Sequence, residues 1–229
     1  DMNQTEALAA RGAAVVMNTY SRFPIAFDHG KGCYVWDMDG KKYLDFVAGI
    51  AVNSLGHGHE ALSKKIAEQA QKLIHVSNLY YTEPQISLAE AICAHSGFDK
   101  VFFCNSGAES IEAALKIARK YATMKGKPGR DIITMEHSFH GRTYGAVTAT
   151  GQAKYQKGLD PLLPGVKHVP FNDLEALKAA VDENTCAILM EPIQGEGGIH
   201  PADKAYLEAV RALCDEKDIV LLFDEIQCG

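Results

Sequence analysis

Short apolar runs recur through the second half of this chain, each separated from the next by a stretch with helical spacing, and that alternation limits the fold more than any other feature. Ile132-Ile133-Thr134-Met135, Ala187-Ile188-Leu189-Met190 and Ile219-Val220-Leu221-Leu222-Phe223 read as buried strands. Helical patterns fill residues 108–124, 173–181 and 203–214 between and around them. Strands joined through helices lie parallel, and a parallel sheet must be covered on its faces. The expected class is therefore α/β with a mostly parallel sheet, to which Val101-Phe102-Phe103 would add one more strand.

The first part of the chain has a different grain. A first helix is expected around Thr5 to Arg11, and Phe27, Tyr34-Val35-Trp36 and Tyr43-Leu44-Asp45-Phe46 suggest short antiparallel strands with a tight bend at Asp39-Gly40. Such a meander is too small to stand alone. From Glu60 the spacing of Leu62, Ile66, Ala70 and Leu73 is helical, and Pro84 suits the first turn of a second helix carrying Ile86, Leu88 and Ile92.

With 229 residues there is ample material for a large core. The formal charge of -6, without any Lys/Arg block or basic-aromatic stripe, argues against nucleic acid as a partner. No run of 18 apolar residues and no basic-then-apolar leader occurs, so neither a membrane span nor a secretory signal is expected. Cys33, Cys93, Cys104, Cys186, Cys214 and Cys228 are scattered, with no CxxC pair among them. They read as reduced thiols of a cytoplasmic protein, mostly small core hydrophobes, and zinc is disfavoured.

Chemistry concentrates where the strands give way to loops. Ser106-Gly107-Ala108 lies between a strand and a helix, where backbone N–H groups form an anion cradle or, equally well, a plain helix cap with Glu109. It is neither a dinucleotide GxGxxG nor a Walker loop. Residues 137–143, His-Ser-Phe-His-Gly-Arg-Thr, follow the strand ending at Met135, and Arg142 could grip a carboxylate or simply face solvent. Glu191-Pro192-Ile193-Gln194-Gly195-Glu196-Gly197-Gly198 follows the next strand, and Asp224-Glu225 closes the last. In a parallel sheet such loops converge on one edge. Glu191, Glu196 and Asp224 leave a magnesium hydrolase open. An electron-sink cofactor with a phosphate handle and a protonated ring nitrogen accounts for more of the set, with Phe139 over the ring and Asp224 at the nitrogen.

The ordered motifs Trp36-Asp37-Met38-Asp39-Gly40-Lys41, Asp45-Phe46-Val47-Ala48-Gly49-Ile50-Ala51-Val52, Leu55-Gly56-His57-Gly58-His59, Asn105-Ser106-Gly107-Ala108-Glu109-Ser110, residues 138–143, residues 191–198 and Asp224-Glu225-Ile226-Gln227 give the chain its wider likeness. It resembles the class III, or ornithine-type, aminotransferases that use pyridoxal 5′-phosphate. Two departures, Gly58 and Cys228, fall where that family commonly carries other residues, and neither bears a role.

The resemblance implies a fold-type I transferase. Residues 1–59 would be an N-terminal segment contributing to a small α+β domain, and residues 60–229 part of the large cofactor-binding domain. It implies that Ser106, Gly107 and Ala108 hold the cofactor phosphate, that Phe139 stacks on the ring with His140 beside it, and that Asp224 pairs with the ring nitrogen. Gln227 would reach the phenolic oxygen, Glu191 would orient the network, and Arg142 would bind the substrate α-carboxylate. Asp224 and Glu196 are the catalytic candidates of the chain, Glu196 as an acidic switch that pairs with a later arginine. The Schiff-base lysine is expected beyond residue 229, and no metal is expected. The implied reaction moves the terminal amine of N-acetylornithine to 2-oxoglutarate, giving glutamate, in a cytoplasmic homodimer of arginine biosynthesis. Ornithine, succinylornithine, 4-aminobutyrate or a diamine are the rival donors, and an inert fragment is the non-enzymatic rival.

Overall fold

The computed structural model describes residues 3–229. Its contacts group into two compact units, one ending at Asp99 and the other spanning Lys100–Gly229.

In the first unit, helix α1 (Gln4–Val15) starts at a capping box between Asn3 and Glu6. The Asp39 carboxylate also accepts the amides of Gln4 and Thr5, so the first-turn donors are well met. Strands β1 (Phe27–Lys31), β2 (Tyr34–Asp37) and β3 (Lys42–Leu44) form the expected antiparallel meander. The bend between β2 and β3 closes on Asp37, whose Oδ1 accepts the amides of Asp39 at 3.0 Å and Lys41 at 2.8 Å. A short helical turn α2 (Ala48–Ala51) leads to α3 (Glu60–Lys72) and α4 (Glu83–His95), with Pro84 in the first turn of α4 as its missing N–H allows.

The second unit contains α5 (Gly107–Met124), β4 (Asp131–Met135), α6 (Tyr144–Ala149), α7 (Ala153–Gln156), β5 (Val166–Val169) and α8 (Leu174–Ala180). After these come β6 (Thr185–Met190), the two-residue strands β7 (Ile193–Gln194) and β8 (His200–Pro201), α9 (Lys204–Lys217) and β9 (Val220–Phe223). Strands β5, β4, β6 and β9 lie side by side in that order, and every pairing is parallel. Alternate residues serve opposite faces. Ile133, Met135, Ile188 and Met190 join Leu177 of α8 and Tyr206, Val210 and Leu213 of α9 in one core. Ile132, Ala187 and Leu189 join Ile111, Leu115 and Ala118 of α5 and Ala146 of α6 in the other. Each fully buried Ile or Leu stabilises the unit by about 1.5–3 kcal/mol, so both faces of the sheet are firmly held.

Two expectations are corrected and one strand is added. Val101-Phe102-Phe103 is not a strand: a ladder needs a partner edge, none of the described strands pairs with it, and Phe102 is 68% exposed. Strand β5 is an addition, hidden because Lys167 and His168 interrupt its apolar pattern. It is a sheet edge, where Lys167 reaches Asp131 at 3.2 Å and Asp182 at 2.8 Å. The cysteines are free, yet only Cys186 and Cys214 are core residues. Cys33, Cys104 and Cys228 are exposed, lying outside the helices and strands, where little packs on them.

Candidate functional site

From β4 the chain passes to β5 on one side, whereas from β6 it proceeds to β9 on the other. The carboxyl ends of β4 and β6 therefore border a topological switch point, the crevice where open parallel sheets bind ligands. The loop after β4 occupies it. It is tied down by His137 N–H to the Gly151 carbonyl at 2.8 Å, by the Ser138 side chain, whose Oγ accepts Gly151 N–H at 2.9 Å, and by His140 N–H to Thr150 Oγ1 at 2.9 Å.

Asp224, the first residue past β9, is 5% exposed and His140 is 3% exposed. His140 Nδ1 lies 2.7 Å from Asp224 Oδ2, and Nε2 lies 3.1 Å from Thr134 Oγ1. A carboxylate only accepts, so Nδ1 carries the proton, and in the neutral ring Nε2 accepts the Thr134 hydroxyl. The other Asp224 oxygen accepts Ile226 N–H at 3.0 Å. The carboxylate is thus fixed from two sides.

Glu191, directly after β6, is also buried; its two oxygens accept Phe139 N–H at 3.1 Å and Gly195 N–H at 3.3 Å. Burial pushes its carboxyl above the usual range, while the Phe139 amide, the His140 ring and the Gly195 amide pull the other way. Glu191 thereby joins the loops after β4 and β6. The Phe139 ring is half-buried and meets Tyr155 edge-on, with centroids 5.5 Å apart. Arg142 is exposed and its guanidinium lies 4.9 Å from the centre of the same Tyr155 ring.

Ser106 caps α5, its Oγ accepting Glu109 N–H at 3.2 Å, and Glu109 Oε2 takes the Asn105 amide at 2.7 Å. The capping role considered from sequence is real, and it leaves the amides of Gly107 and Ala108 as the donors of the first turn. Ile226 packs on that turn, 3.3 Å from where a Gly107 Cβ would stand. The α5 N-terminus and the loop after β9 are therefore neighbours. Gln227 is exposed at φ 84° in the same loop. Glu196 is exposed in the turn between β7 and β8 and, among the described residues, bonds to none of the other candidates.

Three participants were not singled out from sequence. Thr134 gave a signal, a hydroxyl inside the buried run 132–135, whereas Thr150 and Tyr155 gave none.

This chain, from residue 15 to residue 229, matches the model of the aminotransferase class-III family. The chain belongs to the class-III aminotransferases. It is 57% identical over 214 residues to the acetylornithine aminotransferase of Methanocaldococcus jannaschii, a match covering 93% of this chain and 54% of that protein. It is 59% identical over 215 residues to that of Caldanaerobacter subterraneus, covering 93% and 55%. The chain spans about half the length of the curated relatives it matches. Among solved structures, the ornithine aminotransferase of Toxoplasma gondii superposes with a TM-score of 0.93 at 33% identity, over 100% of this chain and 55% of that one. The N-acetylornithine aminotransferase of Stenotrophomonas maltophilia gives 0.78 at 38%, over 96% and 54%. The architecture is that of the fold-type I aminotransferases.

Proposed function

We propose that this chain forms the cofactor-binding part of an aminotransferase that moves the terminal amine of N-acetylornithine to 2-oxoglutarate, with pyridoxal 5′-phosphate as cofactor. The observation that carries the reading is the buried His140–Asp224 pair at the carboxyl end of β9. A buried carboxylate braced by an imidazole, within the same unit as a capped helix N-terminus, suits a cofactor with a cationic ring nitrogen at one end and a phosphate at the other. When bound, pyridoxal phosphate supplies a ring that accepts the electron pair released at the substrate carbon.

The residues of this chain bind, orient and hold charge. The amides of Gly107 and Ala108, with Ser106 at the cap, take the phosphate. Phe139 covers one ring face, and Glu191 holds Phe139 through its amide. Asp224 keeps the proton on the ring nitrogen, and His140 fixes the direction of that carboxylate. Gln227 serves the phenolic oxygen, Arg142 grips the substrate α-carboxylate, and Glu196 switches between amine and acid substrates. The lysine that carries the cofactor is expected beyond Gly229. In this reading residues 1–59 contribute to the small domain and residues 60–229 to the large one, in a cytoplasmic homodimer. No helix among the described residues is long and apolar enough to cross a membrane.

Ornithine is the second reading, because the T. gondii ornithine enzyme gives the higher TM-score. A TM-score reports backbone shape, whereas substrate choice resides in side chains, and identities of 57–59% favour N-acetylornithine. The test is glutamate formation by the full-length protein with pyridoxal phosphate, 2-oxoglutarate and each amine in turn. N-acetylornithine is expected to give a kcat/KM about tenfold or more above ornithine, a difference of about 1.4 kcal/mol in barrier. Preference for ornithine would reverse the substrate assignment, and no transfer from any donor would remove the enzyme reading.

A further inference from the structure

Arg142 sits between two residues that are both anchored to helix α5. On one side, Gly141 at φ 129° packs on the first turn of the helix, and a Cβ there would stand 2.8 Å from the Ala108 Cβ and 3.0 Å from its Cα. On the other, Thr143 Oγ1 donates to Glu112 Oε1 at 2.5 Å. The same Glu112 oxygen accepts Gly145 N–H at 2.8 Å and Ala146 N–H at 3.1 Å. Thr143 holds the N-cap position of α6 but makes no side-chain cap bond there. Its hydroxyl points instead to Glu112, which caps α6 from the neighbouring helix by taking the first-turn amides an N-cap side chain would ordinarily take. Ala108 and Glu112 are four residues apart and so share one face of α5.

We propose that Glu112 is the positioning residue of the carboxylate clamp. It holds the Arg142 loop to the helix whose N-terminus cradles the cofactor phosphate, so one rigid element sets the spacing between phosphate and substrate carboxylate. The inference rests on the reading of Arg142 as the clamp. Without the Glu112 carboxylate, three donors lose their acceptor, the first turn of α6 loosens, and Arg142 samples more directions than the one that meets a carboxylate.

The experiment uses the full-length protein loaded with pyridoxal phosphate and measures by calorimetry the affinity for glutarate, an unreactive dicarboxylate. Arg142→Ala should weaken glutarate about tenfold or more and Glu112→Ala about fivefold or more, as expected when a charge-assisted, bidentate contact is lost or misaligned. Glu112→Gln, which keeps an acceptor oxygen, should recover affinity to within about twofold of the parent, with the cofactor dissociation constant unchanged in every variant. Leu177→Ala, in the core on the other sheet face, should lower Tm and leave glutarate binding intact. Normal affinity in Glu112→Ala beside a weakened Arg142→Ala overturns the positioning role and spares the clamp. Normal affinity in Arg142→Ala overturns both. Equal weakening in Leu177→Ala reduces Glu112 to general stability and also overturns the proposal. If Glu112→Ala does not fold, Thr143→Val removes one of the three donors, and it must weaken glutarate about twofold or more for the proposal to stand.

Discussion

Replacing His140 by Leu tests the buried His140–Asp224 pair of the site. The substitution keeps much of the ring's volume and removes two hydrogen bonds, one to Asp224 Oδ2 at 2.7 Å and one to Thr134 Oγ1 at 3.1 Å. A hydrogen bond to a charged group contributes about 1.5–3 kcal/mol, and a buried hydroxyl left without its acceptor costs about 1–3 kcal/mol. Among the described residues the Asp224 carboxylate keeps only Ile226 N–H, and the residue is 5% exposed, so water offers it little relief. The loss should therefore be about 3–5 kcal/mol, near the range seen when one partner of a buried pair is removed. For a protein of this size that is about a 10 °C fall in Tm. Urea unfolding of the chain followed by circular dichroism measures it. The reasoning is sharpened by Thr134→Val, which should cost about 1 kcal/mol in the parent and nothing, or less than nothing, beside His140→Leu, where its hydroxyl is already orphaned. A loss under about 1 kcal/mol for His140→Leu, or an equal Thr134→Val cost in both backgrounds, would refute the argument.

Further consequences concern catalysis, capping and pH. Asp224→Asn in the full-length enzyme should slow amino transfer about tenfold or more without unfolding it, and near-normal turnover would end the role assigned to Asp224. Ser106→Ala removes the Oγ that accepts Glu109 N–H and should cost about 1 kcal/mol in urea unfolding; an unchanged midpoint would show that Glu109 and Asn105 suffice. His168, half-buried with Nε2 3.2 Å from the Ala149 carbonyl, is held below its ordinary value of 6.5 chiefly by burial. The unfolded chain then takes up a proton more readily than the folded one, so this contribution is present above 6.5 and is lost as pH falls below it. His168→Gln should flatten the dependence of the urea midpoint across that window, and parallel curves for the two proteins would reject the assignment.

Much of the fold was written locally. The run 187–190 and the helix 203–214 needed no partner to be read, because burial on both faces leaves a continuous apolar strand and burial on one face leaves a 3.6-residue stripe. Strand β5 escaped for the converse reason, since its edge position lets Lys167 reach water and two carboxylates. Val101-Phe102-Phe103 looked equally strand-like and is not one, because a strand is a property of a pair.

Sequence by itself determined the alternating α/β order, the placing of polar loops after the strands, and the candidates Asp224, Glu191 and Ser106, each of which lies beside a locally recognisable element end. Tertiary structure decided what those residues touch. Asp224 and His140 are 84 residues apart, Phe139 and Glu191 are 52 apart, and Glu112 and Thr143 are 31 apart. No periodicity records such distances. They follow from the order β5-β4-β6-β9, which brings successive strand ends to one edge, and from the packing of α6 on α5, which turns an ordinary helical glutamate into the cap of another helix.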